Sequence, residues 1–272
     1  MRPALIVERA GPGVTIQDRG RPGWMHHAVP PGGALDPTLH AVTLASLGHG
    51  PEVAAIEVPW FAARFRARGA LVVSVDGDAR ALRDGDVLDV DRVDRAVRYV
   101  ALRGGVDVPA RLGGRGTLLV AALGGIDGRA LRRGDAVEVG EEPFTEAQPL
   151  DAYALDDAAI EVVLGPDAFS DEAIARLCEE GFEVTTAVDR VGMRLRGPAL
   201  PLPCEAVGRS SPMVRGAIEV TPDGGLIVLG PDHPVTGGYP VIAVVRARCL
   251  GALSQRRPGA TVRFTRSRSC AR

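Results

Sequence analysis

"ARALRDGDVLDV", residues 79–90, sets the fold class. A basic turn leads into a glycine and a small or acidic residue, and an alternating strand follows. The same shape returns as "GRALRRGDAVEV" (128–139) and as "LSQRRPGATVRF" (253–264). A single Gly-Asp ahead of a strand is ordinary hairpin chemistry. Three copies, the last far along the chain, point to two related β units.

The surrounding sequence agrees. "ALVVSV" (70–75), "VLDV" (87–90), "VRYVAL" (97–102), "TLLVAAL" (117–123), "IEVVLG" (160–165), "GLIVLG" (225–230) and "VIAVVRA" (241–247) are short and rich in β-branched residues. Gly, Pro or Asp punctuates each of them, the pattern of strands in barrels or sandwiches. Two stretches read as helices. In 36–47 Asp36 caps, Pro37 sits at the first helical position, and Leu39, Val42 and Leu47 share a face. In 170–180 Ser170 caps, Asp171 and Glu172 favour the positive end, and Gly181 stops the helix. The acidic, Pro-containing stretch 141–157 is the linker candidate, giving domains at 1–145 and 146–272.

Composition narrows the function. A chain of 272 residues with formal net charge −2 has no basic excess for nucleic acid. It shows neither an apolar leader nor a membrane span, so a cytoplasmic protein is expected. Four widely spaced cysteines give no zinc motif and no disulfide framework. The chain has no lysine, which excludes a Schiff base, a P-loop lysine and covalently held biotin on this chain. Its cations are arginines, suited to bidentate grips on carboxylate or phosphate.

Three stretches concentrate polar residues. In "TIQDRGRPGWMHHAVPPGGALD" (15–36), Gln17, Asp18, Arg19 and Arg21 either grip an anion or cap their own loop. His26 and His27 are adjacent, and on an extended chain they point opposite ways, so they are not read as ligands of one metal. In "RGGVDVPARLGGRGT" (103–117), Arg115 and Thr117 stand among glycines that allow a close backbone approach. "DHPVTGGYP" (232–240) sets Asp232 beside His233, a pair suited to proton transfer, and Gly237-Gly238 can turn amides toward an anion. A polar turn is the plainer reading of each. No G-x-S-x-G, H-E-x-x-H or Cys-His nucleophile pattern occurs.

Five ordered segments carry a resemblance over roughly 14–264: "VTIQDRGRPGW…AVPPGGALD", "YVALRGGVDVPARLGGRGT", "VDRVGMRLRGPAL", "SSPMVRGAIEVTPDGGLIVL" and "DHPVTGGYPVIA". Together they resemble the carboxyltransferase-domain family that includes the C subunit of bacterial 5-oxoprolinase, KipA and the carboxyltransferase region of urea carboxylase. The resemblance implies a mainly β fold of two cyclophilin-like β-barrel domains with few short helices. It implies a B-type (KipI-like) partner subunit, an A-type subunit, and ATP used by the complex to open 5-oxoproline to glutamate. A KipA-like regulator and a structural subunit that only fills out a partner's pocket stand as alternatives.

On this resemblance the catalytic candidates are Asp232, His233 and Tyr239. The substrate-binding candidates are Asp36, Arg115, Thr117, Arg190, Ser210, Thr236, Gly237 and Gly238, with no metal. Arg115 and Arg190 would grip the substrate carboxylate or phosphate between the barrels, and the Gly237-Gly238 amides would face developing negative charge. The family pattern is also broken. His233, Pro234 and Val235 replace Arg-Gln-Thr, and glycines 32, 114 and 116 replace serines. Ser211 replaces an acid and Glu219 a glutamine.

Overall fold

The computed structural model describes residues 2–91, 95–148, 158–203 and 210–267. The chain divides into two compact units, Met1–Pro22 with Gly32–Ala154, and Gly23–Pro31 with Leu155–Arg272. Both are built mainly from β-strands. No described helix is long and apolar enough to cross a membrane.

The first unit contains β1 (Ala4–Ala10), β2 (Thr15–Gln17), α1 (Pro37–Ala45), β3 (Ala55–Pro59), β4 (Ala63–Arg68), β5 (Leu71–Val75), β6 (Asp78–Leu82), β7 (Val87–Val90), β8 (Val97–Leu102) and β9 (Ala136–Glu138). Its strands form two sheets, ordered β7-β4-β1-β9 and β2-β3-β8-β5-β6. Inward residues of both, among them Leu5, Phe65 and Leu88 from one and Ile56, Val73 and Val100 from the other, meet in one core. In β4, "ARFRAR", Ala63, Phe65 and Ala67 point inward, while Arg64, Arg66 and Arg68 pair outside with Asp89, Glu8 and Glu138. β8 reads as one apolar run because both its faces are covered. Val100 and Leu102 enter the core, while Val97, Tyr99 and Ala101 pack on the other side with Leu39, Leu44 and Leu47.

The second unit contains β10 (Ile160–Leu164), α2 (Asp171–Glu179), β11 (Gly181–Val188), β12 (Gly192–Arg196), β13 (Ser211–Pro212), β14 (Ala217–Val220), β15 (Leu226–Leu229), β16 (Thr236–Gly237), β17 (Val241–Val245), α3 (Leu250–Ser254) and β18 (Thr261–Arg266). Seven strands close into a barrel in the order β10-β17-β14-β15-β12-β11-β18, with β18 parallel to β10. Ile160, Phe182, Ile218, Ile242 and Phe264 are among the residues filling it. β13 and β16 form a separate two-stranded ribbon.

The repeated motif is one turn used three times. Gly85, Gly134 and Gly259 all take left-handed φ, at 85°, 93° and 89°, which glycine adopts without steric cost. In each copy the residue after the glycine donates its N–H to a basic residue's carbonyl: Asp86 to Arg83, Asp135 to Arg132 and Ala260 to Arg257. The strands that follow have different roles. β7 and β9 are the two edges of one sheet, whereas β18 closes the barrel.

Both expected helices form with the expected caps. Asp36 Oδ1 accepts from Leu39 N–H at 3.0 Å, and Ser170 Oγ from Ala173 N–H at 3.2 Å. The short α3 was not foreseen. "TLLVAAL" is not a strand. Leu118 and Leu123 exchange backbone hydrogen bonds across a 3₁₀ turn at Leu119–Ala121, so the chain doubles back and Val120 projects outward. Of the linker stretch, 141–148 still bonds to the first unit, with Gln148 N–H donating to Ala45 O at 3.0 Å. Residues 149–157, like Cys204 and Cys270, lie outside the described residues. Cys178 and Cys249 are free and half-buried.

Candidate functional site

In the second unit, "DHPVTGGYP" leaves β15 through Gly230 and Pro231 and runs along the barrel's outer surface into β17. Asp232 is anchored at once. Its N–H donates to Arg190 O at 2.9 Å, and Arg190 donates from Nε to Oδ2 at 2.8 Å and from Nη2 to Oδ1 at 3.0 Å. The two side chains are only 5% and 3% exposed, so this fork-to-fork pair sits out of water. Gly230 is required beside it, because a Cβ there would stand 2.3 Å from Arg190 O.

Asp232 therefore does not orient His233, as the sequence suggested. His233 is fully buried, its Nδ1 lies 2.8 Å from Pro234 O, and its Nε2 makes no hydrogen bond among the described residues. With Pro234 O as acceptor, Nδ1 carries the proton and Nε2 is a bare acceptor. Burial, the largest influence, pushes the imidazole's pKa down. Further on, Thr236 and Gly237 of β16 pair with Pro212 and Ser211 of β13. Ser210, Thr236 and Tyr239 are exposed, Tyr239 by 42%, and a Cβ on Gly238 would meet nothing within 4 Å.

Sequence reasoning missed Glu219 of β14. It is 7% exposed and lies under the β13–β16 ribbon, its Oε1 2.8 Å from where a Gly237 Cβ would stand. Burial pushes its carboxyl pKa up. Only its replacement of a family glutamine marked it in the sequence.

In the first unit, the loop 15–21 lies against 111–117. Asp18 accepts from Gly20 N–H and from Arg115 N–H, while Arg21, fully buried, donates to the carbonyls of Arg111, Gly114 and Gly116. These residues cap backbone, the plainer of the two readings. The Arg115 guanidinium donates to Val108 O and Glu142 Oε1 and borders a cavity of about 300 Å³ with Arg2, Asp107 and Glu141. Thr117 receives Gln17 Nε2 on its carbonyl at 2.9 Å. Among the described residues its Oγ1 and Gln17 Oε1 make no hydrogen bond.

Asp36, fully buried, donates its N–H to Tyr99 Oη at 2.9 Å, and Tyr99 donates to Glu57 Oε2 at 2.7 Å. Asp36 is thus a helix cap tied into a buried network. Its neighbour His40, edge-on to the Tyr99 ring, is held neutral, its pKa lowered to about 4 by burial against the opposing pull of Asp18. Trp24, His26 and His27 stand on and beside a 3₁₀ turn rather than an extended chain. The two imidazoles lie side by side, centroids 4.0 Å apart, so they do not point opposite ways.

The family model "Carboxyltransferase domain, subdomain A and B" matches residues 27–266. The chain belongs to the carboxyltransferase-domain family. Within it, the chain is 30% identical to the C subunit of 5-oxoprolinase from Escherichia coli, over 96% of this chain and 90% of that one. The crystal structure of TTHA0988 superimposes with a TM-score of 0.86 at 28% identity, over 97% of this chain and 55% of that one. Kluyveromyces lactis urea carboxylase superimposes with a TM-score of 0.88 at 25% identity, and there this carboxyltransferase chain spans 27% of its relative. The chain thus spans about half, or less, of the solved structures it matches.

Proposed function

We propose that this carboxyltransferase-family chain is the C-type subunit of an ATP-consuming 5-oxoprolinase complex, opening 5-oxoproline to glutamate together with B-type (KipI-like) and A-type subunits. The observation that carries this is the alignment with the C subunit of the E. coli 5-oxoprolinase, which takes in nine-tenths of both chains. The missing lysine fits divided labour, because the P-loop type of phosphate grip must then come from another chain. In this reading the exposed Thr236, Gly238 and Tyr239 face the ligand, and the Arg190–Asp232 clasp holds their backbone in place.

One observation favours a second reading, a KipA-like regulator or a structural subunit. The Asp232 carboxylate of the 232–240 motif is spent on Arg190, and His233, its pKa pushed down by burial, has one nitrogen committed to Pro234 O.

The test is reconstitution with neighbour-encoded B-type and A-type subunits, following 5-oxoproline-dependent ATP hydrolysis and glutamate release. The isolated chain is expected to be inactive, and the complex active only when the chain is present. A complex that turns over equally well without it would establish the regulatory reading.

A further inference from the structure

Beyond β9, residues 141–148 of the first unit lie as a strap across a track of glycines. A Cβ on Gly48 would stand 2.1 Å from Thr145 O, one on Gly104 2.6 Å from Gly140 O, and one on Gly105 2.8 Å from Glu142 Cγ. The strap lies this close only because those three positions carry no side chain. What holds it is sparse. Glu142 N–H donates to Gly104 O and Thr145 N–H to Gly48 O, both at 2.9 Å, and Gln148 N–H donates to Ala45 O at 3.0 Å. His49 joins the two sides, accepting Gly104 N–H on Nε2 at 3.0 Å and donating from Nδ1 to Pro143 O at 3.1 Å. Every strap residue except Glu142 is exposed, Phe144 by 51%, so no buried apolar side chain anchors it. Segments held mainly by exposed hydrogen bonds open at far lower cost than the whole domain unfolds.

The strap is one wall of the cavity beside Arg115. Arg2, Val106, Asp107 and Arg115 line the body side, and Gly140, Glu141 and Glu142 line the other. Arg115 is positioned without the strap's help. Its N–H donates to Asp18 and its Nη1 to Val108 O at 2.7 Å, while Nη2 donates to Glu142 Oε1 at 2.5 Å. With the strap down, two arginines share the cavity with three carboxylates. Lifting it would take Glu141 and Glu142 away and leave the same two arginines with Asp107 alone. The cavity would turn from net negative to net positive, and Nη2 would be freed on a guanidinium already fixed in place.

We propose that residues 141–148 are an autoinhibitory strap: Glu142 occupies the Arg115 guanidinium as an internal ligand, and lifting the strap opens the cavity to an external carboxylate. The ligand class follows from the group displaced, a single carboxylate on a guanidinium edge. Glu142 holds the site in the closed state because its tether gives it an effective concentration that a free competitor must exceed. An external carboxylate binds the open state alone and therefore shifts the chain toward it. Such a strap serves a catalytic subunit and a regulator alike, so it stands apart from the oxoprolinase reading.

Hydrogen–deuterium exchange and calorimetric titration of the full chain with propionate, at one pH and ionic strength, test this. Saturating propionate should speed exchange of the amides at positions 142, 145 and 148 and leave those of β8 unchanged. An ordinary ligand slows exchange around its site. Glu142→Gln should speed the same strap amides without ligand. It should also bind propionate about tenfold more tightly, the gain expected when a state open roughly one-tenth of the time becomes the major one. Arg115→Gln should loosen the strap and bind no propionate. Propionate that slows strap exchange, equal affinity in wild type and Glu142→Gln, or no saturable binding to Glu142→Gln would overturn the proposal, whether or not the arginine variant folds.

Discussion

Replacing Asp232 by Ala should act on the stability of the second unit. The carboxylate receives two guanidinium N–H groups at 2.8 and 3.0 Å, and both side chains are almost wholly out of water. Removing one member of a buried pair strips the other of its charge-assisted hydrogen bonds out of water, at about 3–5 kcal/mol. For a unit of this size that corresponds to a fall of roughly 10–20 °C in Tm. An exposed pair sets the scale from below. Glu183 and Arg196, at 42% and 73% side-chain exposure, should give about 0–1 kcal/mol when Glu183 becomes Ala. The chain's two tryptophans allow the measurement. Trp24 belongs to the second unit and Trp60 to the first, so Trp60→Phe leaves fluorescence reporting on the second unit alone. Urea unfolding of that background, with and without Asp232→Ala, gives the difference. An Asp232→Ala protein that unfolds at the parental midpoint while its complex loses turnover would refute the clasp and make Asp232 a site residue.

Two further outcomes follow from groups of both units. His40 takes up its proton near pH 6.5 when unfolded but only at about 4 when folded, so stability is full above 6.5 and falls as pH drops between those values. The loss should approach about 3 kcal/mol, and a His40→Gln protein whose unfolding free energy has the same pH slope as wild type would contradict it. Gly230→Ala should cost about 1–3 kcal/mol because the new Cβ meets Arg190 O at 2.3 Å, whereas Gly238→Ala should stay within about 0.5 kcal/mol; equal melting temperatures for the two variants would show that the contact relaxes freely.

Local chemistry was legible in the sequence of this chain. The three glycine turns, the Asp36 and Ser170 caps and most strands depend on residues within a few positions of one another, and each appears where its residues place it. "TLLVAAL" misled because an apolar run has no periodicity to separate a strand from a turn that folds back. The pairing of Arg190 with Asp232 spans 42 residues, and that of Arg115 N–H with Asp18 spans 97. Nothing in the spacing of "DHP" says that its acid faces an arginine on the approach to β12 rather than the next imidazole. Glu219 reads as the polar member of an alternating strand, which is solvent's side by default. Only the ribbon β13–β16, folded over that face, makes it a buried carboxyl. The sequence alone carried the family, the β-rich class and the turns, since these depend on short-range backbone preference. Which charges are spent in the scaffold and which remain for a ligand was decided by tertiary structure, because burial and long-range pairing exist only after the chain closes on itself.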